Sequence, residues 1–367
     1  MDVRAEITAD FPSTQLTEQL TRIWQDLLQT QHIGLRDNFF EIGGDSILSI
    51  KMLSQVKALG YEIALGDLFA FQTIADLAQK IEGGSVPVAN AANTSVTQKE
   101  VVFIPGLGGS PLALYALGGL LTANDPLLRV HYLTDPRFEN GAAEKQLSIK
   151  ELAALYVAVL KERIASQTVI LIGYSFGAYV GYEMSKLLAA SEIKLDAFII
   201  LDANAPHQNT FDLFEQDDTY TDKVFSSLKA LAAINEIPFS FEREDFLNKD
   251  EATILQLIQD RMSSQLDMSI DVEKLLAVYT RNGEATLAWE DDQKYPLITK
   301  TLLLKTQKDL EQLSLEKQAI YQLHDYGWGA LIDGEFEATF VDGTHQSMLK
   351  SPHVDELYSI ITKETNG

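Results

Sequence analysis

The stretch TVILIGYSFGAYVGYEMSKLL, from Thr168 to Leu188, constrains the fold more than any other part of the chain. Thr168–Ile172 is a short β-rich apolar run, long enough for a buried parallel strand. Gly173-Tyr174-Ser175-Phe176-Gly177 fits G-x-S-x-G, and Ala178, Gly181, Tyr182, Ser185 and Leu188 then begin a helix-like pattern with small residues on its inner side. Strand, turn and helix in that order predict a nucleophile elbow. A Cβ at either flanking glycine would strike the neighbouring strand or helix. Ser175 is therefore expected to project its hydroxyl at the C-terminal end of a strand, beside a helix N-terminus that favours developing negative charge.

The strand of the elbow is one of a series. From Val101 onward, VVFI, the run around Val130–Leu133, TVILI, AFIIL, TLLLK and ATFV are strand candidates. Ser148–Ile164 is a strong amphipathic helix between two of them. Strands alternating with helices imply a mostly parallel sheet covered on both faces. Residues 205–296 break the rhythm: acidic, helical in pattern and without convincing strands, they read as an insertion over one end of the sheet.

The first 82 residues have a different organisation. Leu16, Leu20, Ile23, Trp24, Leu27 and Leu28 recur at helical spacing, as do Ile47, Ile50, Leu53 and Val56, with Gly60 as a stop. Ile63–Phe71 and Ile74–Ile81 supply two further apolar pieces, so a small four-helix domain is expected over 1–82. Glu82–Ser95 reads EGGSVPVANAANTS, the composition of a flexible linker. The boundaries drawn are 83–98 for the linker and 99–367 for the larger domain.

Composition narrows the function. The 367 residues include no cysteine, which removes disulfides, a thiolate nucleophile and cysteine metal sites; no metal centre is expected. A net charge of −24 argues against nucleic acid or an anionic membrane as the main partner. No apolar run approaches the roughly 20 residues that span a bilayer, and MDVRAEITAD lacks the basic and apolar regions of a signal peptide. A cytoplasmic enzyme is expected.

A serine nucleophile needs a base within hydrogen-bond reach and an acid that fixes the base's tautomer. Of the six histidines, His32 lies in the first domain, His131 in a strand candidate, His207 and His324 in or near loops without a supporting pattern, and His353 in the first turn of the closing helix. His345, in FVDGTHQSML, follows the last strand candidate and precedes the last helix, where the order Ser…Asp…His puts the base. Two acids are geometrically possible: Asp202, ending AFIIL, and Asp309, following TLLLK.

One further constellation stands apart. D-N-F-F-E-I-G-G-D-S-I, residues 37–47, places Ser46 immediately before a helix, where unpaired amides and the dipole suit a phosphate ester. The paired glycines would let a bulky modifying enzyme approach the backbone. Capping of the helix by Asp45 or Ser46 is the plainer reading of the same pattern.

Residues 14–82 resemble the peptidyl carrier proteins of nonribosomal peptide synthetases, whose signature includes D-x-F-F-x-L-G-G-[HD]-S-[LI]. The resemblance implies that Ser46 carries 4′-phosphopantetheine, attached by a phosphopantetheinyl transferase, and that the arm's thiol holds the chain as a thioester. It also implies upstream condensation and adenylation domains as partners. Residues 101–362 resemble the releasing thioesterases of peptide and polyketide synthetases, through FIPGLGGS at 103–110, GYSFGAYVGYE at 173–183, ILDA at 200–203, GWGAL at 327–331 and GTHQSML at 343–349. That resemblance implies an α/β-hydrolase with a helical lid at 205–296 and selects Asp202 as the acid. It further implies an oxyanion hole from the amides of Phe176 and Leu107, and a carrier that docks on the thioesterase. Two other readings share parts of this pattern: a free-standing esterase or lipase with a structural helical prefix, and a non-catalytic carrier or docking module.

Overall fold

The computed structural model describes residues 15–40, 42–44, 46–61, 63, 67–68, 71–82, 99–125, 128–138, 145–205, 220–235, 240–266, 272–289, 300–308 and 315–365. The chain divides into two compact units: Met1–Ala92 with Ser263–Met268, and Asn93–Met262 with Ser269–Gly367. The linker expected over 83–98 lies outside the described residues, as do His207, Asp309, Asp45 and most of the third apolar piece, 63–71.

The described helices of the first unit are α1 (Gln15–Leu28), α2 (Ser46–Ala58) and α3 (Ile74–Ile81). The apolar stripe of α1 is buried as its spacing predicts, with Leu20 and Trp24 fully enclosed. Trp24 meets Phe39 edge-on at 4.9 Å. The loop before α2 is tied to the start of α3, since Phe39 donates its amide to the Gln72 carbonyl at 2.9 Å and Ala75 donates to that of Leu35 at 2.9 Å. Thr73 caps α3 by accepting from the Asp76 amide at 3.1 Å.

Each of the two glycines ahead of Ser46 also has a reason within the fold itself. A Cβ on Gly44 would lie 2.6 Å from the Phe39 carbonyl oxygen and 2.3 Å from two carbons of the Phe39 ring, so internal packing excludes a side chain there. Gly43 has open space around it but a φ of +108°, which favours glycine on conformation alone.

In the second unit the six expected strands are all present: β1 (Glu100–Ile104), β2 (Arg129–Tyr132), β3 (Thr168–Tyr174), β4 (Lys194–Leu201), β5 (Lys300–Thr306) and β6 (Phe336–Val341). They pair in parallel in the order β2-β1-β3-β4-β5-β6. Between them run α4 (Tyr115–Asn124), α5 (Ile149–Arg163), α6 (Phe176–Ala189), α7 (Tyr220–Asn235), α8 (Glu251–Leu266), α9 (Val272–Leu287) and α10 (Leu315–Tyr321), and α11 (His353–Thr365) closes the chain. Alternate strand residues Phe103, Ile172, Leu201 and Leu304 share a core with Leu117 and Leu121 of α4 and Leu357 and Ile361 of α11. The opposite face takes α6: a Cβ on its Gly181 would press on Phe198 at 2.7 Å and Ile104 at 3.0 Å. The inner strands β1, β3, β4 and β5 are largely buried on both faces, which explains their continuous apolar runs.

His131 is structural, as a strand position suggests. It pairs through Nε2 with the buried Glu100 at 2.6 Å, and Glu100 also accepts the amides of Ala165 and Ser166. The described part of 205–296 contains no strand: its regular elements are α7, α8, α9 and a short 3-10 turn at Arg243–Phe246.

Candidate active site

The elbow forms where the sequence puts it. Ser175 sits between β3 and α6 with φ +54° and ψ −121°, a conformation that an L-residue adopts only under constraint. Both glycines are required by close backbone approach. A Cβ on Gly173 would fall 2.5 Å from the Gly177 carbonyl oxygen, and one on Gly177 would fall 2.7 Å from that of Pro105.

The sheet register aligns the ends of β3, β4 and β5. Tyr174 pairs with Leu201, and Leu201 with Leu304. The ladder then runs one residue past the strands: Ser175 donates its amide to Leu201 at 3.0 Å, and Asp202 donates to Leu304 at 2.8 Å. Ser175 and Asp202 are thus fixed at the same edge by the backbone of their neighbours.

Asp202 meets His345 across 143 residues of chain, with Nδ1 to Oδ2 at 2.9 Å. The carboxylate is fully enclosed and the imidazole 28% exposed. Oδ1 accepts the Thr306 amide at 2.8 Å, while Oδ2 also accepts the Thr306 hydroxyl at 2.9 Å and the Lys308 ammonium. Burial alone would raise the Asp202 carboxyl. The hydrogen bond and charge of His345, then the charge and hydrogen bond of Lys308, override it and hold the group well below the usual carboxylate range.

The imidazole is held from a second side. The Tyr174 ring stacks on it with centroids 5.0 Å apart and planes 22° apart, and the Tyr174 hydroxyl donates to the His345 carbonyl at 2.8 Å. Burial, then the Asp202 charge, pushes the Tyr174 phenol well above its usual range, so it stays a neutral donor. The loop carrying Asp202 is buttressed by the GWGAL segment: Trp328 Nε1 donates to the Ala203 carbonyl at 2.8 Å, and Ala205 donates to that of Tyr326 at 2.9 Å.

Leu107 lies in a tight turn closed by the Gly109 amide on the Gly106 carbonyl at 2.9 Å. Asn282 of α9 donates Nδ2 to the Leu107 carbonyl at 3.0 Å. Asn282 itself belongs to a buried network with Asp135 and Arg137. Arg137 grips Asp135 with Nε at 2.8 Å and Nη2 at 2.6 Å, and donates to Asn282 Oδ1. The loop is therefore fixed by a turn within itself and by a helix of the insertion. Among the described residues the Phe176 and Leu107 amides donate to no neighbour.

Lys308, Thr306 and the Asp135–Arg137–Asn282 group escape sequence reasoning. None belongs to a local motif; Arg137 and Asn282 lie 145 residues apart. The one sequence pointer to Lys308 is its place beside Asp309, in the loop already singled out as a possible source of the acid.

Residues 99–365 match the thioesterase domain family, and residues 18–81 match the phosphopantetheine attachment site family. A protein of the linear gramicidin synthase of Brevibacillus parabrevis is 47% identical over 81 residues, 22% of this chain and 2% of that protein. Indigoidine synthase of Dickeya dadantii is 25% identical over 364 residues, 95% of this chain and 23% of that protein. In the crystal structure of a holo four-domain nonribosomal peptide synthetase, 27% of that chain superposes on 98% of this one, with a TM-score of 0.61 and 20% identity, a likeness of fold. This chain thus spans a small part of the length of the relatives it matches. It belongs to the thioesterase domain family and carries, ahead of that domain, a carrier domain of the kind that takes covalent 4′-phosphopantetheine.

Proposed function

We propose that this chain releases an acyl or peptidyl chain in nonribosomal peptide biosynthesis, with Ser46 as the attachment point, Ser175 as nucleophile, His345 as base and Asp202 as its orienting acid. The observation that carries the reading is the Asp202 Oδ2–His345 Nδ1 contact at 2.9 Å, built at the same sheet edge as a serine held at positive φ. The fit of the carrier to its group rests on Ser46 opening the 13-residue helix α2 after the Gly43-Gly44 turn, a place suited to a phosphodiester. When bound, the arm supplies a thiol that holds the acyl chain as a thioester.

The chemistry follows from the protein's own groups. His345 Nε2 takes the Ser175 Oγ proton as Oγ attacks the thioester carbonyl. Asp202 keeps Nδ1 protonated and stabilises the imidazolium. The amides of Phe176 and Leu107 stabilise the oxyanion, and the helix N-terminus of α6 adds to the field there. On cleavage of the carbon–sulfur bond, His345 returns that proton to the departing sulfur, leaving an ester on Ser175. Water, or a hydroxyl or amine of the chain itself, then attacks that ester with His345 again as base. With carrier and hydrolase in one polypeptide, the linker at 83–98 raises the local concentration of substrate, so carrier docking on the thioesterase can be weak. A phosphopantetheinyl transferase and upstream condensation and adenylation domains are the partners this reading calls for.

The two domains can be tested separately. Ser46→Ala should block loading by coenzyme A and a phosphopantetheinyl transferase, read as loss of the mass addition, while cleavage of a small diffusible thioester continues. Loss of both activities in that variant would contradict the division of labour.

A further inference from the structure

The oxygen that holds His345 is shared. Asp202 Oδ2 accepts from His345 Nδ1, from the Thr306 hydroxyl and from the Lys308 ammonium. Lys308 is not a loose surface lysine: its side chain is 17% exposed, and Nζ also donates to Thr306 Oγ1 at 2.9 Å and lies 5.7 Å from the centre of the Tyr321 ring. A triad acid holds the imidazole in the right tautomer and steadies the imidazolium with its negative charge. A fixed cation on the same oxygen withdraws part of that charge and repels the protonated ring.

We propose that Lys308 is a positioning residue that tunes the base: by sharing Asp202 Oδ2 with His345, it sets how strongly the carboxylate favours the imidazolium over the neutral ring that accepts the Ser175 proton. The inference rests on the reading of His345 as general base. Among the described residues, the other titratable groups facing the pair are the following. Tyr174 stacks on the ring from β3 and is neutral. Tyr326 and Tyr321 lie behind Thr306 and Lys308; burial, then the charge of Asp202, raises the Tyr326 phenol, which donates to the Thr306 carbonyl. The His353 ring faces Gly343 of the loop that carries His345. Lys305, the other nearby cation, donates to the His324 carbonyl and sits over the Tyr326 and Phe340 rings. Among the described residues, Lys308 is thus the cation placed on the shared oxygen.

The test compares Lys308→Met and Lys308→Arg with the wild type in the full chain. It uses two readouts: the pH dependence of kcat/KM on a small diffusible thioester, and direct titration of the His345 ring by NMR. Removing a cation favours the imidazolium. In Lys308→Met both the ring titration and the acid limb should therefore move up by about one pH unit, and Lys308→Arg should restore both. Methionine leaves the Thr306 and His345 bonds to Asp202 in place, so the fold should survive. A ring titration unchanged in a folded Lys308→Met would overturn the proposal, even if activity fell, because loss without a shift marks a merely structural lysine. A ring that moves while the acid limb stays fixed would uphold the electrostatic role of Lys308 and instead refute His345 as the base.

Discussion

The ring of Tyr174, one residue ahead of Ser175, stacks on the His345 imidazole at 5.0 Å while its hydroxyl holds the His345 carbonyl at 2.8 Å. The residue that enters the strained turn therefore also positions the loop bearing the base. Strand, serine and histidine loop are thus tied together, although 171 residues separate the two bonded partners.

This coupling predicts a graded effect at Tyr174. Tyr174→Phe keeps the stack and loses one hydrogen bond, worth about 1 kcal/mol. Its kcat/KM on a diffusible thioester should fall by less than tenfold, with KM nearly unchanged. A fall as large as that of a Ser175 variant would mean that the hydroxyl takes part in the chemistry itself.

Asp202→Asn should cost up to about 10⁴-fold in acyl-enzyme formation, as expected for loss of the acid in a serine triad. It should also weaken the fold, because Lys308 keeps its charge but loses its counter-ion. The pH dependence of that deficit is fixed in sign. Asp202 titrates below its unfolded value of about 4, so its stabilisation is fully present above that pH and is lost as pH falls towards the folded value. In urea denaturation the gap between wild type and Asp202→Asn should therefore be wide at pH 7 and narrow steadily below pH about 4. A constant gap would show that the charge of Asp202 contributes nothing to stability.

Much of the fold is legible in the sequence, for physical reasons. The inner strands, buried on both faces, write their sequence as apolar runs, and the more exposed edge strands β2 and β6 are readable too. The elbow is readable because only glycine fits at 173 and 177. His345 follows from chain order, whereas residue pattern alone does not separate Asp202 from Asp309; family resemblance chooses Asp202, and His345 Nδ1 lies on its carboxylate. The buried contacts of Lys308 and of Asn282 are illegible, since each is a lone polar residue whose partners come from distant segments. The glycines at 43 and 44 stand out in the sequence, but the packing on Phe39 that excludes a side chain at 44 is not legible there.

The insertion at 205–296 is expected from its sequence to behave as a mobile cover. The structure assigns one part of it a fixed role, since Asn282 of α9 ties the Leu107 carbonyl to the buried Asp135–Arg137 pair. Amides around Asn282 should exchange more slowly than those of α7. Asn282→Ala, which leaves buried partners unsatisfied, should cost about 2–4 kcal/mol and release protection in α9 before β3. Unchanged exchange in that variant would show that the network does not hold the helix.

The central claim is transfer from the carrier arm to Ser175, and intact mass over time reads it directly. The full chain is loaded on Ser46 with an acyl-phosphopantetheine by a phosphopantetheinyl transferase, and wild type is compared with Ser175→Ala. Wild type should shed the acyl mass, passing through a species acylated on Ser175, whereas Ser175→Ala should keep its load. Unloading of Ser175→Ala at the wild-type rate would contradict the account.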